Sequence, residues 1–481
     1  MKKHKKLITY IITALLLIGF VLLFSTTTSP LFPNYYGVDS AFNRFMGLMV
    51  LRGKVLYSEI WDNKGPVLFF LQAVGTLKGT HNADITLTFL MQIASIFLTF
   101  FLVYRAAEEA FPGKVSIPST IILALCAMSV FAIVIDSGNL SEEWSLPMIA
   151  CSLYLLVKYA ANVKDHPLHP RKYACIHGIC FGLLAFIRVN NAISICSGLL
   201  AAAVYLAFRR KWRNLLENIL FGLLGIALVA VPVCLYFLSK HALGEMLYGV
   251  FSYNIKYASQ RTHKTFTGTD FLDRFLPIIA SLLIIFISRI RTRNFRLLDG
   301  MMLLIVAINA VMLWNSNIFL HYYIIFVPVF LLVMLLYADF RKIPEMAAAL
   351  IVLAFFTFES VNLLSAVPAL QELPDRFAFA ASIPEEEKQS AMGLYVSPEV
   401  YLNSGLIPCS RFAAYHFAHF PVDPAMKDEF LHDMTENPPF WIIYLSGYEG
   451  IITEVQELLE EKYDWVTDEY GATYYRIKNP E

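Results

Sequence analysis

MKKHKKLITYIITALLLIGFVLLF, residues 1–24, decides how the rest of the chain is read. Lys2, Lys3, Lys5 and Lys6 precede an apolar run, Leu7–Phe24. At about 18 residues, that run is long for the core of a signal peptide and long enough to cross a hydrocarbon layer. The following Ser25-Thr26-Thr27-Thr28-Ser29-Pro30 is a poor cleavage site. The stretch therefore predicts a first transmembrane helix whose basic end stays in the cytoplasm.

Runs of similar character recur at 84–104, 116–135, 143–160, 173–187, 191–208, 216–238, 275–290, 298–313, 320–338 and 345–365. With residues 7–24 they make about eleven candidate spans, of which 173–187 and 298–313 are short. Leu68–Thr76 is too short to span and reads as a re-entrant or interfacial helix. The charges alternate with this count. Loops expected in the cytoplasm hold Arg105 and Lys114; Lys164, Arg171 and Lys172; Arg209, Arg210, Lys211 and Arg213; Arg289, Arg291, Arg293 and Arg296; Arg341 and Lys342. The turns expected outside, at 136–142, 188–190 and 314–319, hold only Arg188. That asymmetry is the positive-inside pattern, with the N-terminus inside and the C-terminus outside.

Composition agrees. The 481 residues are 57% hydrophobic and 16% charged, against roughly 25% charged in soluble domains. The bilayer is therefore the chain's main solvent. Thirty-eight Lys and Arg balance 38 Asp and Glu, so no global charge draws nucleic acid. Cys126, Cys151, Cys175, Cys180, Cys196 and Cys234 lie in apolar runs, Cys409 lies outside them, and no CxxC pair occurs. A structural zinc is not indicated.

Three polar regions fall outside the membrane in this topology: 25–83, 239–274, and the tail from 366. The tail holds an apolar run at Trp441–Leu445, a helical pattern at Glu454–Lys462 and a strand-like Thr473–Ile477. These predict a small α/β domain. The expected organisation is a membrane domain, 1–365, with a large first outer loop, followed by an extracytoplasmic α/β domain, 366–481.

The first outer loop carries the most chemistry. Asp39 follows the first membrane helix closely. A carboxylate there can act as a general base or cation partner, or cap the helical-looking Ser40–Leu51. Tyr57 and Asp62 lie further along. Lys64 sits just before Gly65-Pro66 and can neutralise a lipid phosphate or snorkel at the interface. In the second outer turn Asp136, Glu142 and Glu143 cluster without a base. Ser141 would cap the next helix, with Glu142 and Glu143 in its first turn. Arg188, at an outer helix–helix turn, suits bidentate phosphate binding. His321 begins the tenth span. No P-loop, Rossmann fingerprint, HExxH or GxSxG is present, so the chemistries that use them are unsupported.

At these residues the chain resembles a known family. GVDSAF at 37–42, GKVLYSEIWDNKGPVLFFLQA at 53–73, GNLSEEW at 138–144, FIRVNN at 186–191 and His321-Tyr322-Tyr323 followed by Pro328 look like the C-type, lipid-linked-sugar-dependent glycosyltransferases. These include the bacterial relatives of protein O-mannosyltransferase and of the aminoarabinose transferases. The resemblance covers about residues 30–330. It implies a mostly α, polytopic membrane fold with a large first outer loop and a small α/β domain after it. It implies transfer of a sugar from a polyprenyl-phosphate carrier to a glycan, lipid or protein acceptor on the outer face of a bacterial plasma membrane.

Residue by residue, the resemblance puts the family's first-loop acid on Asp39, which would position or deprotonate the acceptor hydroxyl. It puts the phosphate-contacting lysine on Lys64. Glu142, Glu143, Arg188 and His321 carry over less directly. Two departures stand out: Gly65 replaces the first proline of a Lys-Pro-Pro-like motif, and Ser40 follows Asp39 where many members have Asp-Glu. The second-turn acids are then the source of a further carboxylate, and dependence on a divalent metal is left open. A single base implies direct displacement with inversion at the anomeric carbon. A transporter or flippase of a lipid-linked or anionic substrate is the competing reading; it calls for polar groups in mid-membrane and for helices broken by Pro or Gly, for which Asn309 and Pro232 are the candidates.

Overall fold

A computed structural model describes residues 2–112, 117–259, 268–316, 319–339, 342–414, 416–445 and 453–478. Lys114 and Arg341, two of the expected cytoplasmic charges, lie outside the described residues. Before the tail, the helices in chain order are α1 (Lys2–Phe24), α2 (Val38–Leu51), α3 (Pro66–Thr76), α4 (Leu87–Ala110), α5 (Ile117–Val134), α6 (Ser141–Ala161), α7 (Arg171–Arg188), α8 (Ile193–Phe208), α9 (Trp212–Ser239), α10 (Leu243–Leu247), α11 (Tyr253–Ser259), α12 (Gly268–Thr292), α13 (Leu297–Trp314), α14 (Val327–Tyr337) and α15 (Ile343–Leu364). Each candidate span read from the sequence overlaps one of them.

Among the described residues, seven helical segments are long and apolar enough to cross a membrane: Leu87–Ala110, Ser141–Ala161, Arg171–Phe208, Trp212–Ser239, Asp270–Thr292, Leu297–Trp314 and Leu320–Tyr337. Shorter apolar helices occupy Tyr10–Phe24, Pro66–Thr76, Ile121–Val134 and Ala349–Leu364. The protein is thus a mostly helical, polytopic membrane protein. Two expected spans, 173–187 and 191–208, lie within the 38-residue segment Arg171–Phe208. A 3-10 turn at Val189–Ala192 divides it, and Arg188 leaves the helical region there with φ −165° and ψ 111°.

The chain forms two compact units. The first comprises Met1–Ser25, Leu90–Leu235 and His263–Pro368. Its helices differ sharply in what surrounds them. All residues of α14 are buried, whereas the apolar α9 window is only 6% buried within the protein. A helix apolar all round and packed all round is a core element; one that is apolar and unpacked needs lipid. Glycines seat α9 on α7. A Cβ at Gly178 would stand 2.0 Å from the Gly222 carbonyl oxygen, and one at Gly225 would stand 2.1 Å from that of Cys175. Lipid supplies no hydrophobic drive between helices, so such close backbone approach is how they hold together. Polar links add to it: Ser194 Oγ donates to Asn309 Oδ1 at 3.1 Å, and Asn309 Nδ2 donates to the Ile305 carbonyl at 2.8 Å.

The second unit comprises Thr26–Phe89, Tyr236–Thr262 and Ala369–Glu481. Its tail forms a four-stranded sheet in the order β1-β2-β4-β3, where β1 is Ala391–Leu394, β2 Trp441–Leu445, β3 Tyr463–Glu469 and β4 Ala472–Ile477. β1 and β2 run parallel, and the other pairs antiparallel. The apolar run Trp441–Leu445 is β2, the helical pattern falls in Thr453–Lys462, and the strand-like segment is β4, as the periodicities indicated.

The first outer stretch in this unit is closely packed. α2 lies on α3 because Gly47 has no side chain: a Cβ there would stand 2.5 Å from the Ala73 nitrogen. Arg44 is fully buried and pins the ends of the stretch together. It donates to Asn82 Oδ1 at 2.6 Å, to the Thr27 carbonyl at 3.2 Å and to the Thr80 carbonyl. Burial lowers its pKa to about 10, with the neighbouring Tyr36 opposing the shift. Tail residues complete the packing. Trp61 N–H donates to the Arg411 carbonyl at 2.9 Å, and Arg411 donates to the Tyr57 carbonyl at 2.7 Å.

Candidate functional site

In the second unit, helix geometry brings Asp39 and Lys64 together. Gly37, at φ 62° and ψ 172°, turns the chain into α2. Helix α2 begins at Val38, so Asp39 lies in its first turn rather than at its cap, and no side chain caps the helix. The position still favours a carboxylate, because the helix N-terminus carries partial positive charge. Lys64 precedes Gly65, the N-cap of α3, with Pro66 as the first helical residue. Proline suits that place since its missing N–H would be unpaired anyway.

Lys64 Nζ stands 3.3 Å from Asp39 Oδ1 and 3.3 Å from Asp62 Oδ2. Asp62 is 1% exposed and Asp39 39%. One ammonium thus bridges a buried and a half-open carboxylate, and the three groups sum to one negative charge. Asp62 Oδ1 also accepts the Asn63 N–H at 2.6 Å. Tyr57, itself left-handed at φ 71°, donates its hydroxyl to the Lys64 carbonyl at 2.8 Å. Burial, then the Asp62 charge, raise the Tyr57 pKa well above its usual value, so it stays a donor.

Behind this triad lies an aromatic wall. Trp61 meets Tyr253 and His419 edge-on, each at 4.9 Å between ring centres. The Tyr253 hydroxyl and His419 Nδ1 share a hydrogen bond of 2.7 Å. Burial, followed by the Lys64 and His416 charges, pushes the His419 pKa down to about 3, so the ring is neutral near pH 7. Asn254 clasps the loop from α11, donating to the Asn63 carbonyl at 2.7 Å and accepting from Asn63 Nδ2 at 3.1 Å.

In the first unit, Asp136, Ser137, Gly138 and Asn139 all have positive φ, at 46°, 70°, 88° and 62°. Asp, Asn and Gly tolerate that region better than other residues, and a Cβ at Gly138 would stand 2.2 Å from Ser25 Oγ. Glu143 holds the turn from within. It is fully buried, accepts the Asn139 N–H at 2.7 Å and meets Gln92 Nε2 at 3.1 Å. Ser141, expected as the helix cap, is instead the first helical residue, and its hydroxyl donates to Glu142 Oε2 at 2.9 Å.

Glu142 is paired with Arg188, whose NH1 lies 2.7 Å from Glu142 Oε1. The other arm of Arg188 donates to the Tyr322 hydroxyl at 2.7 Å, and the guanidinium lies 4.5 Å from the centre of the Tyr322 ring. Arg188 remains 25% exposed. It is therefore a guanidinium held by both arms and still partly exposed. His321 Nδ1 lies 3.0 Å from Asp136 Oδ2, and its ring stacks on Phe319 at 5.5 Å. The structure thus gathers Asp39, Tyr57, Asp62 and Lys64 in one cluster, and Glu142, Glu143 and Arg188 with the His321–Asp136 pair in the other unit. Sequence reasoning did not single out Gln92, Asn254, Tyr253, His419 or Tyr322; of these only Tyr322 lay within a quoted motif. Among the described residues, no three His, Cys, Asp or Glu side chains gather closely enough to hold a metal ion.

Comparison with known proteins gives the family and the fold. Residues 1–343 match the family described as the competence-induced protein Ccs4 N-terminal domain. No curated protein matches the sequence significantly. Among solved structures, ArnT from Cupriavidus metallidurans bound to undecaprenyl phosphate is similar with a TM-score of 0.62 and 14% identity, over 99% of both chains. The archaeal oligosaccharyltransferase AglB from Archaeoglobus fulgidus, in complex with an inhibitory peptide and a dolichol-phosphate, is similar with a TM-score of 0.50 and 13% identity, over 100% of this chain and 75% of that one. At such identities the likeness is one of fold, and the fold is that of the C-type glycosyltransferases expected from the first-loop motif.

Proposed function

We propose, from the premise that this chain belongs to the family of the competence-induced protein Ccs4 N-terminal domain and has the C-type glycosyltransferase fold, that it is a membrane glycosyltransferase using a polyprenyl-phosphate sugar donor. The observation that carries this reading is the bridge from Lys64 to Asp39 and Asp62. A half-open carboxylate at a helix start, held by an ammonium, has what a general base for an acceptor hydroxyl needs: orientation and access. The carriers named with the similar structures, undecaprenyl phosphate and a dolichol-phosphate, support a lipid-phosphate donor.

In this account Asp39 takes the proton of the acceptor hydroxyl as its oxygen attacks the anomeric carbon. The bond from that carbon to the phosphate oxygen breaks, and its electron pair leaves with the polyprenyl phosphate. Lys64 is the cation assigned to that phosphate, and Arg188 is a candidate phosphate-binding guanidinium of the first unit. Asp62 and Tyr57 fix Lys64, and Glu142 fixes Arg188. Glu143 and His321 are positioning residues that hold the second outer turn. A single base and a good leaving group give inversion at the anomeric carbon. The acceptor is an envelope glycan, lipid or protein outside a bacterial plasma membrane, with the N-terminus inside and the tail domain outside.

The transporter reading finds less support. Asn309, its mid-helix polar candidate, is engaged between Ser194 and its own helix. The test is transfer from a defined polyprenyl-phosphate hexose or pentose by the purified protein in nanodiscs, with the product's anomeric configuration read by NMR. Release of polyprenyl phosphate with an inverted linkage is expected. Retention of configuration overturns the single-displacement mechanism, and movement of intact donor across the bilayer without transfer overturns the enzyme.

A further inference from the structure

The end of α12, the connection and the start of α13 carry Arg289, Arg291, Arg293 and Arg296 against a single acid, Asp299. Asp299 is already spent. It accepts the Tyr337 hydroxyl at 2.9 Å and the Arg296 N–H at 2.7 Å, and it lies 3.5 Å from Arg289. Beside it lies a cavity of about 310 Å3 whose lining includes Ile285, Phe286, Arg289, Ile290, Arg293 and Leu303. Arg289 is held in place, its guanidinium 5.2 Å from the Tyr337 ring centre. Its Nε is buried with no hydrogen-bond partner among the described residues. Arg293, in the left-handed region at φ 49°, is exposed. Phe286 and Ile290 on α12 are also exposed, on a helix long and apolar enough to cross a membrane.

We propose that this cavity binds the phosphate head of an anionic membrane phospholipid, with its acyl chain lying along Phe286 and Ile290. Arg289 and Arg293 both line one small volume, beside an acid already engaged, and guanidiniums suit phosphate oxygens. Apart from Asn294 the rest of the lining is apolar, which a free inorganic anion does not need. Compensation of the α12 C-terminal dipole explains basic residues near the helix end. It does not require a cavity lined by two arginines. The cavity's lining shares no residue with the carboxylate clusters described above.

The experiment is native mass spectrometry of the full-length protein released from nanodiscs containing phosphatidylglycerol and phosphatidylcholine, comparing the wild type with Arg293→Asn and Arg291→Gln. Asparagine keeps the left-handed backbone accessible, and Arg291 does not line the cavity. Wild type is expected to retain phosphatidylglycerol over phosphatidylcholine. Arg293→Asn should lose about fivefold of that retention, the ratio that about 1 kcal/mol per basic residue near the surface gives, while Arg291→Gln stays close to wild type. Equal losses in the two variants would assign the effect to diffuse surface charge and overturn the site. No preference between the lipids, or displacement of the lipid by millimolar inorganic phosphate, overturns it as well.

Discussion

Replacing Lys64 by alanine tests the triad through stability, without any assumption about substrate. The ammonium faces Asp62, which is 1% exposed, and Asp39, which is 39% exposed. Asp39 can be solvated by water when Lys64 is removed, so its contribution is small. Asp62 cannot, and is left as an uncompensated buried charge. Breaking a buried pair in this way costs about 3–5 kcal/mol. Asp62 keeps the Asn63 N–H and the pair is only moderately close, so the lower end, about 3 kcal/mol, is expected for Lys64→Ala. For a unit of roughly 150–250 residues each kcal/mol lowers Tm by about 2–4 °C, which makes a fall of about 6–12 °C. Adding Asp62→Asn removes the stranded charge while leaving an oxygen for the Asn63 N–H. The double variant should recover most of the loss, to within about 1 kcal/mol of wild type. The assay is thermal unfolding of the detergent-purified protein at a fixed scan rate. A double variant as unstable as Lys64→Ala alone, or a single variant within about 0.5 kcal/mol of wild type, would refute the claim that Lys64 compensates Asp62.

Three further outcomes follow from the packing and the charges. Burial, with Lys64 and His416 adding to it, lowers the His419 pKa to about 3, and burial lowers that of His416 to about 4. Both values lie below the unfolded value near 6.5, so the unfolded chain binds more protons in that window and stability falls as pH drops through it. At pH 5 the loss is about 2 kcal/mol per histidine, and His419→Gln should remove about that much of the acid-dependent loss of stability. Gly47→Ala would push a methyl to 2.5 Å from the Ala73 nitrogen, costing about 1–3 kcal/mol, and is expected to depress transfer because α2 carries Asp39 and α3 follows Lys64. Arg188→Lys replaces a fork that holds Glu142 and Tyr322 at once by a single point charge, and should raise the donor KM about tenfold with a smaller change in kcat.

Much of the helical architecture was legible because hydropathy over about 20 residues needs no knowledge of packing. The strand-like and helical segments of the tail were legible for a similar reason: Trp441–Leu445 and Glu454–Lys462 differ plainly in periodicity. What the sequence could not display was anything set by contact. Asp39 and Lys64 were recognisable as chemistry, but the bridge between them depends on how closely α2 and α3 approach at Gly47. The place of Asp62 follows from the left-handed turn at Tyr57, which no propensity would assign to a tyrosine. Tyr253 and His419 come from segments far along the chain, and neither stands in a motif. The cap expected at Ser141 is not made: the helix begins at Ser141 itself, after Leu140, and no side chain caps it. Glu142 and Glu143 are neighbours in sequence, yet one holds an arginine and the other a backbone turn.

The central claim is that Asp39 is the base of a sugar transfer, and Asp39→Asn tests it most directly. The variant is nearly isosteric, and its parent side chain is half exposed, so the fold should survive and Tm should move little. The measurement is a comparison of envelope glycans and lipid-linked sugars in cells lacking the protein and complemented with either wild type or Asp39→Asn. The account predicts that the deletion loses one sugar substituent and accumulates its polyprenyl-phosphate donor, and that stably expressed Asp39→Asn restores neither. Full restoration by Asp39→Asn would contradict it.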